Sequence, residues 1–449
     1  MYFASMKRVL VLGAGRSSSA LIGYLLNKAA AHELDITVGD FSLAAARERV
    51  GNHPSGQAIA FDINQAQASE AEIAAADVVI SLLPANLHPR VAALCLKQKK
   101  HLLTASYVSD EMRGLHDAAL RNNLLFLNEC GLDPGIDHMS AMHVIDRVRK
   151  VGGRITSFES FTGGLIAPET DPENPWRYKF TWNARNVVMA GQGTAKFLLN
   201  GEYKYIPYQQ LFSRTTSVTV PGYGNYEGYA NRDSLKYIEA YGLQGIQTML
   251  RGTLRHEGFC AAWNALVQLG CCDDTYQMER VATLTHRSFL NAFLDDAAGH
   301  PVEEKLRLVM GWLPDAPEMK KLRWSGLLSE EPVGLTQGTP AQILEHILNK
   351  KWKLAPADKD MIVMWHRFGY EQNGRQKEMQ AWLVVKGDDS IHTAMAKTVG
   401  LPLGIASLCL LQGKIKTRGV ALPIVPEIYE PVLTELSKIG IELEERETK

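Results

Sequence analysis

KRVLVLGAGRSS, residues 7–18, decides the fold. Four apolar residues, Val9 to Leu12, run into Gly13-Ala14-Gly15-Arg16-Ser17-Ser18, and an amphipathic stretch follows. The spacing predicts a buried strand, a glycine turn and a helix over residues 17–26. Such a turn suits a dinucleotide. Gly13 makes the tight bend, Gly15 lets the backbone approach a pyrophosphate, and the start of the helix supplies N–H groups and a positive dipole end. Ser18 stands where a third glycine or an alanine is usual. Gly13, Gly15, Arg16, Ser17 and Ser18 are therefore the first candidate cofactor contacts.

Working outward, the same rhythm repeats. Apolar runs at 8–12, 35–39, 58–61, 77–83, 102–105 and 124–128 alternate with amphipathic stretches through residue 130. Runs this rich in Val, Ile and Leu fit strands covered on both faces, which predicts six βα units in one parallel sheet. Asp40 ends the second run, where an acidic side chain bonds the ribose 2′-hydroxyl and repels a 2′-phosphate, so NAD is favoured over NADP. Arg47 and Arg49, on the next helix, are the residues that would favour NADP. Asp62 after the third strand is a candidate for the adenine side. Ser81, Leu82 and Leu83 end the fourth strand, where the nicotinamide and its ribose are expected.

Past Gly131 the pattern changes. Residues 154–161 and 214–220 read as strands, and 360–387 as a hairpin turning at Asn373-Gly374. Residues 251–354 read as helical, and 392–413 as buried helix on either side of Pro402. The expected architecture is α/β: a Rossmann-type parallel sheet domain over 1–130, a mixed α+β substrate domain over 131–250 and 355–449, and an all-helical insert over 251–354. The helix near 392–413 is expected to pack back on the first domain.

Composition supports a globular chain. Its 449 residues are 46% hydrophobic and 22% charged, with 48 Lys+Arg against 49 Asp+Glu. That balance excludes a broad surface for nucleic acid or an anionic membrane and leaves single pockets open. The six cysteines lack a C-x-x-C, and His138–His143 does not make H-E-x-x-H, so neither a disulfide scaffold nor a metal site is expected. Lys7-Arg8 before a short apolar run resembles a signal peptide, but glycines and Arg16 interrupt it, and a cytoplasmic protein is the expectation.

The loops after the fifth and sixth strands hold the remaining chemistry. They carry Thr104-Ala105-Ser106-Tyr107 and Glu129-Cys130-Gly131-Leu132-Asp133-Pro134-Gly135-Ile136-Asp137-His138. Ligands of open α/β sheets bind off these strand ends. Asp133-Pro134 also reads as an N-cap and first helical residue, leading into a helix through residue 148.

Here the chain resembles the glutamate-forming saccharopine dehydrogenases, or saccharopine reductases, including the dehydrogenase half of bifunctional aminoadipate semialdehyde synthase. The matching motifs are VISLLP at 79–84, TASY at 104–107, GLDPGIDHM at 131–139, GG at 163–164, APE at 167–169, YKFTW at 178–182, EGYANRDS at 227–234 and RGTLRHEGF at 251–259. The resemblance implies interconversion of saccharopine with aminoadipate semialdehyde and glutamate, by hydride transfer at an imine carbon with NAD or NADP, in a homodimer. It implies catalytic roles for Asp133 and Tyr107. It also implies a substrate pocket of Ser106, Tyr107, Asp133, Thr162, Gly163, Phe180, Arg232 and Arg251, with Arg255 nearby. A tricarboxylate calls for such arginines. Thr162 stands where the family often has Cys, so a thiol role is excluded here. By spacing, Arg251 and Arg255 would share a helix face, and Phe180 and Trp182 would alternate on a strand with one of them in the core. Two other readings remain: reductive condensation on a polyamine, of the carboxynorspermidine type, and a non-catalytic NAD-binding sensor on the same fold.

Overall fold

In a computed structural model, which describes residues 6–295 and 299–448, the chain forms two compact units. Of these, the first takes the residues up to Arg154, Leu383–Gly387 and Ile391–Glu444; the second takes Ile155–Trp382, Asp388–Ser390 and 445–448.

The first unit is built on seven parallel strands. Six are those of the sequence pattern: β1 (Lys7–Leu12), β2 (Leu34–Asp40), β3 (Gly56–Ala60), β4 (Val78–Ser81), β5 (His101–Thr104) and β6 (Leu125–Leu127). Spatially they run β6-β5-β4-β1-β2-β3, with the order reversing at β1. That reversal, flanked by β2 and β4, is where open α/β sheets bind ligands. Leu10, Leu12, Val79, Leu102 and Phe126 fill one buried cluster of this unit. Central strands β1 and β4 are apolar on both faces because helices cover both.

The seventh strand, Gly419–Ala421, comes from near the other end of the chain and pairs with β6. Before it comes a single helix, Ala394–Leu411, which runs straight through Pro402. It meets the first helix, Ser19–His32, at two glycines. A Cβ on Gly400 would lie 2.9 Å from the Leu21 nitrogen, and one on Gly404 would lie 2.9 Å from the Tyr24 ring. This 18-residue helix is apolar enough to cross a membrane, yet 83% of it is buried inside the protein. The helix Ile136–Lys150 also falls within the first unit, as does most of the C-terminal segment. The expected division of 131–250 with 355–449 is corrected to that extent: these helices bury their apolar faces in the first unit.

The second unit carries a nine-stranded mixed sheet. Its strands are β7 (Arg154–Ile166), β8 (Ala195–Leu199), β9 (Glu202–Ile206), β10 (Thr216–Val220), β11 (Gly224–Ala230), β12 (Thr248–His256), β13 (Asp360–Gln372), β14 (Arg375–Lys386) and a last one, Glu444–Thr448. Strand β12 lies between β11, antiparallel, and β7, parallel. The β13–β14 turn has positive φ at Asn373 and Gly374, as a two-residue hairpin requires. From Phe259 to Trp352 the elements among the described residues are helices, including Phe259–Leu269, Val302–Met310 and Pro340–Trp352. The helical insert therefore begins after β12 and not at residue 251. Arg251 and Arg255 interrupt the apolar alternation of that strand, which concealed it.

Trp176, Tyr178, Phe180, Phe259, Trp263 and Trp352 pack together in this unit. Trp176 lies edge-on to Trp352 at 5.2 Å, and Phe259 stacks on Trp263 at 5.8 Å. Rings at these separations add to the area they bury.

Candidate active site

The glycine turn has the geometry its sequence predicts. Gly13 has φ 105, and a Cβ there would press on Leu82 at 3.1 Å from its carbonyl oxygen. Only glycine fits so tight a crossing. A Cβ on Gly15 would meet no atom within 4 Å, leaving room for a phosphate beside its peptide. Residues 16–18 form a single 3₁₀ turn before the helix Ser19–His32, so the helix starts two residues later than its expected boundary. Arg16 is exposed and Ser17 half-buried. Ser18 is buried and donates its hydroxyl to the Gly15 carbonyl at 2.8 Å, so it shapes the turn from within.

Asp40 reaches back to this turn. One carboxylate oxygen accepts from the Ala14 N–H at 2.7 Å and the other from the Ser42 N–H at 2.8 Å. Arg49 donates to the Ala14 carbonyl at 3.4 Å from the opposite side. A carboxylate and a guanidinium thus hold the two successive peptides on either side of the Ala14 Cα, at the edge of the turn. Asp62 accepts from the backbone and side chain of Asn64, both at 2.9 Å, and so closes a local turn.

Ser81 is wholly buried, and its hydroxyl faces His88 Nδ1 at 3.0 Å. It supports His88 from the end of β4; Leu82 and Leu83 beside it are half-buried. His88 itself escaped sequence reasoning. Its Nε2 lies 2.8 Å from the Ser106 hydroxyl and 3.1 Å from that of Thr104, joining the ends of β4 and β5. Burial pushes its pKa down to about 4, so it is neutral at physiological pH.

Tyr107 and Asp133 come together. The phenol donates to the carboxylate at 3.1 Å, and both side chains are half-buried. Asp133 is not a helix cap. The helix Ile136–Lys150 is preceded by Gly135 as its cap, and Asp133 lies in the turn before it, where the Gly131 N–H donates to the Pro134 carbonyl at 3.0 Å. Both glycines of this turn are required by space. A Cβ on Gly131 would strike Ala105 at 2.8 Å, and Gly135 combines φ 151 with a backbone crossing over Gly131.

In the second unit, Arg251, Thr253 and Arg255 project from one face of β12, together with Thr162 of β7, which pairs with Thr253. Spacing by four therefore groups the two arginines through a strand and not a helix. Both are buried. The Arg251 guanidinium lies over the Tyr237 ring at 4.2 Å, and that of Arg255 over Tyr178 at 5.0 Å and Phe259 at 5.3 Å. The Thr162 hydroxyl, the Arg255 Nε and the Tyr178 hydroxyl are buried with no hydrogen-bond partner among the described residues. Burial pushes the Tyr178 phenol up to about 12. Arg232 is exposed on the loop after β11 with left-handed backbone, φ 50. Gly163 is small for packing, since a Cβ there would lie 2.6 Å from the Leu254 carbonyl oxygen. Phe180 is wholly buried among Tyr178 and Trp352, a core residue, whereas Trp182 is half-buried. Residues 178–182 make one isolated bridge, from Phe180 to Lys353, and not a strand. The expected pairing is thereby corrected: Phe180 serves the core.

A doubly wound parallel sheet, an open glycine turn at its first helix and a tyrosine–carboxylate pair at its carboxyl edge define a dinucleotide-binding oxidoreductase fold. The saccharopine dehydrogenase C-terminal domain matches residues 131–441, and the saccharopine dehydrogenase NADP binding domain matches residues 9–127. The chain belongs to the saccharopine dehydrogenase family. It is 34% identical over 450 residues to saccharopine dehydrogenase [NADP(+), L-glutamate-forming] of Schizosaccharomyces pombe, covering 98% of this chain and 99% of that one. It is 35% identical over 447 residues to the mitochondrial alpha-aminoadipic semialdehyde synthase of Mus musculus, covering 98% of this chain and 47% of the relative. The chain thus spans about half the length of the mammalian relatives it matches. The solved apo saccharopine dehydrogenase (L-Glu forming) of Saccharomyces cerevisiae superposes with a TM-score of 0.87 at 33% identity, covering 99% and 100% of the two chains.

Proposed function

We propose that this chain interconverts saccharopine with aminoadipate semialdehyde and glutamate, using a nicotinamide dinucleotide. The observation that carries the reading is the Tyr107–Asp133 pair at the carboxyl edge of a family-matched nucleotide-binding sheet. The open space over Gly15 fits a pyrophosphate, and Gly13, Gly15 and Ser17 would hold it. When bound, the cofactor supplies the hydride chemistry. Asp133 is a carboxylate suited to stabilising a protonated imine or holding the secondary amine, with Tyr107 fixing its orientation and able to pass a proton. Arg232, Arg251 and Arg255 are suited to the substrate carboxylates, with the Thr162 hydroxyl adding a hydrogen bond. Three carboxylates need such partners before they leave water.

Asp40 favours NAD, because its carboxylate is fixed against the Ala14 peptide and would repel a 2′-phosphate. The fungal relatives are named for NADP(+), and Arg49 is the side chain through which this chain would tolerate it. The deciding assay offers saccharopine with NAD or NADP and follows reduced cofactor and released glutamate. Turnover supports the reading; no glutamate from either cofactor rejects it. Asp40→Ser is expected to narrow the NAD:NADP ratio of kcat/KM, and an unchanged ratio rejects the role of Asp40.

A further inference from the structure

We infer that Glu129 and His138 are positioning residues that hold Tyr107 and Asp133 in mutual register; the inference rests on the reading of the site given above. Glu129 follows β6, is 1% exposed and has left-handed backbone, φ 55. A buried, non-glycine residue persists in that conformation only where its surroundings over-determine it. They do so here by gripping the chain on both sides of Tyr107. The Glu129 N–H donates to the Ser106 carbonyl at 3.1 Å, and one carboxylate oxygen accepts from the Val108 N–H at 3.0 Å.

The other carboxylate oxygen lies 2.8 Å from His138 Nε2. With Glu129 ionised, the proton of that bond sits on Nε2. His138 is wholly buried near the start of the helix that follows the Asp133 turn. Its Nδ1 faces an Asp137 oxygen at 3.6 Å, and the second Asp137 oxygen accepts from the Gly135 N–H at 2.6 Å. The contacts therefore run from the Tyr107 loop through Glu129, His138 and Asp137 into the Asp133 turn. The Tyr107–Asp133 bond closes the ring.

Glu129, Asp137 and His138 are all within 1% of full burial, so they act through Tyr107 and Asp133 and not on substrate. Apolar side chains would fill the same space without the cost of burying two carboxylates and an imidazole. What the polar set provides is direction: the Val108–Glu129, Glu129–His138 and Gly135–Asp137 bonds fix the angles of the groups they join.

The test uses the full chain with saccharopine and its preferred cofactor, in the variants Glu129→Ala, Glu129→Gln, His138→Gln, Tyr107→Phe and Glu129→Ala/Tyr107→Phe. Glutamine can accept from the Val108 N–H and donate to a re-tautomerised His138, so Glu129→Gln should keep kcat within about tenfold of the parent. Glu129→Ala should lose about 100-fold in kcat, as displacement of a reacting group does. KM and the Kd for reduced cofactor, read by nicotinamide fluorescence, should stay within about twofold. In the Tyr107→Phe background the alanine substitution should cost no more than about twofold, because both changes break one unit. Losses that multiply in the double variant, or that fall equally on KM and cofactor Kd, overturn the inference. If Glu129→Ala does not fold, His138→Gln with Tyr107→Phe runs the same cycle. A parent chain that turns over saccharopine while the cycle is additive rejects the inference alone; a parent chain with no turnover rejects the functional reading and this inference with it.

Discussion

At the carboxyl edge of the first sheet, Ser81, His88, Ser106, Tyr107 and Glu129 all bond to protein groups. On the β7–β12 face of the second unit, Thr162, Tyr178 and Arg255 each bury an atom that no described residue satisfies. Buried polar atoms are nearly always paired, because an unpaired one costs about 1–3 kcal/mol. The complete network is therefore a fixed frame, built before any ligand arrives. On the function proposed above, the incomplete one is where an incoming carboxylate would be met, and the chain would bear that cost until then.

This contrast can be broken from either side. The largest effect is expected at Arg255. Exchange for Met removes a buried charge, so urea stability should hold or rise, while kcat/KM for saccharopine falls about 1,000-fold, mainly through KM. A loss of stability with unchanged KM would make Arg255 a core tether stacked on Tyr178 and Phe259.

On the fixed-frame side, His88 sets an acid limit. Its folded pKa of about 4 lies below the ordinary 6.5, so the unfolded chain takes up its proton first as pH falls. The stability associated with neutral His88 is complete above pH 6.5 and is lost as pH drops toward 4, amounting to roughly 3 kcal/mol. Urea midpoints across that window should fall less steeply for His88→Gln than for the parent; parallel curves would show that His88 is not the titrating group.

Asp133→Asn should lower kcat about 100-fold with little change in melting temperature, since only the charge beside Tyr107 is lost. Near-parental kcat/KM would remove Asp133 from the chemistry. Thr162→Val should give the smallest change, about tenfold in KM, because one hydroxyl is withdrawn from the ligand. The same variant should be as stable as the parent or slightly more so, having lost an unsatisfied group.

The first sheet was legible because six buried parallel strands announce themselves as apolar runs, and their boundaries differ from the sequence reading by only a few residues. The seventh strand was not: Gly419–Ala421 is three residues long and pairs with a strand, β6, that ends at Leu127, far back in the sequence. Strand β12 was hidden by its own arginines. Tyr107, Asp133 and the glycine turn were visible as motifs in position, whereas the supports behind them were not. Glu129 and His138 lay at the two ends of the loop 129–138, but a glutamate closing an apolar strand and a histidine on a buried helix face gave no pattern from which a contact could be read. The alternation expected of Phe180 and Trp182 does not arise, because residues 178–182 make one bridge and not a strand.

The glycine contacts of Ala394–Leu411 with the first helix carry a consequence for how the chain is made. The sheet that would bind the nucleotide begins at residue 7, yet its covering helix and its edge strand emerge only after residue 390. At translation rates of roughly 5–20 residues per second, the first strands wait on the order of 20–80 seconds for these partners. Until then Leu21 and Tyr24 are uncovered and β6 is an open edge, a condition that invites association with other nascent chains. The amino-terminal family domain, residues 9–127, thus lacks the helix and the edge strand that complete its compact unit.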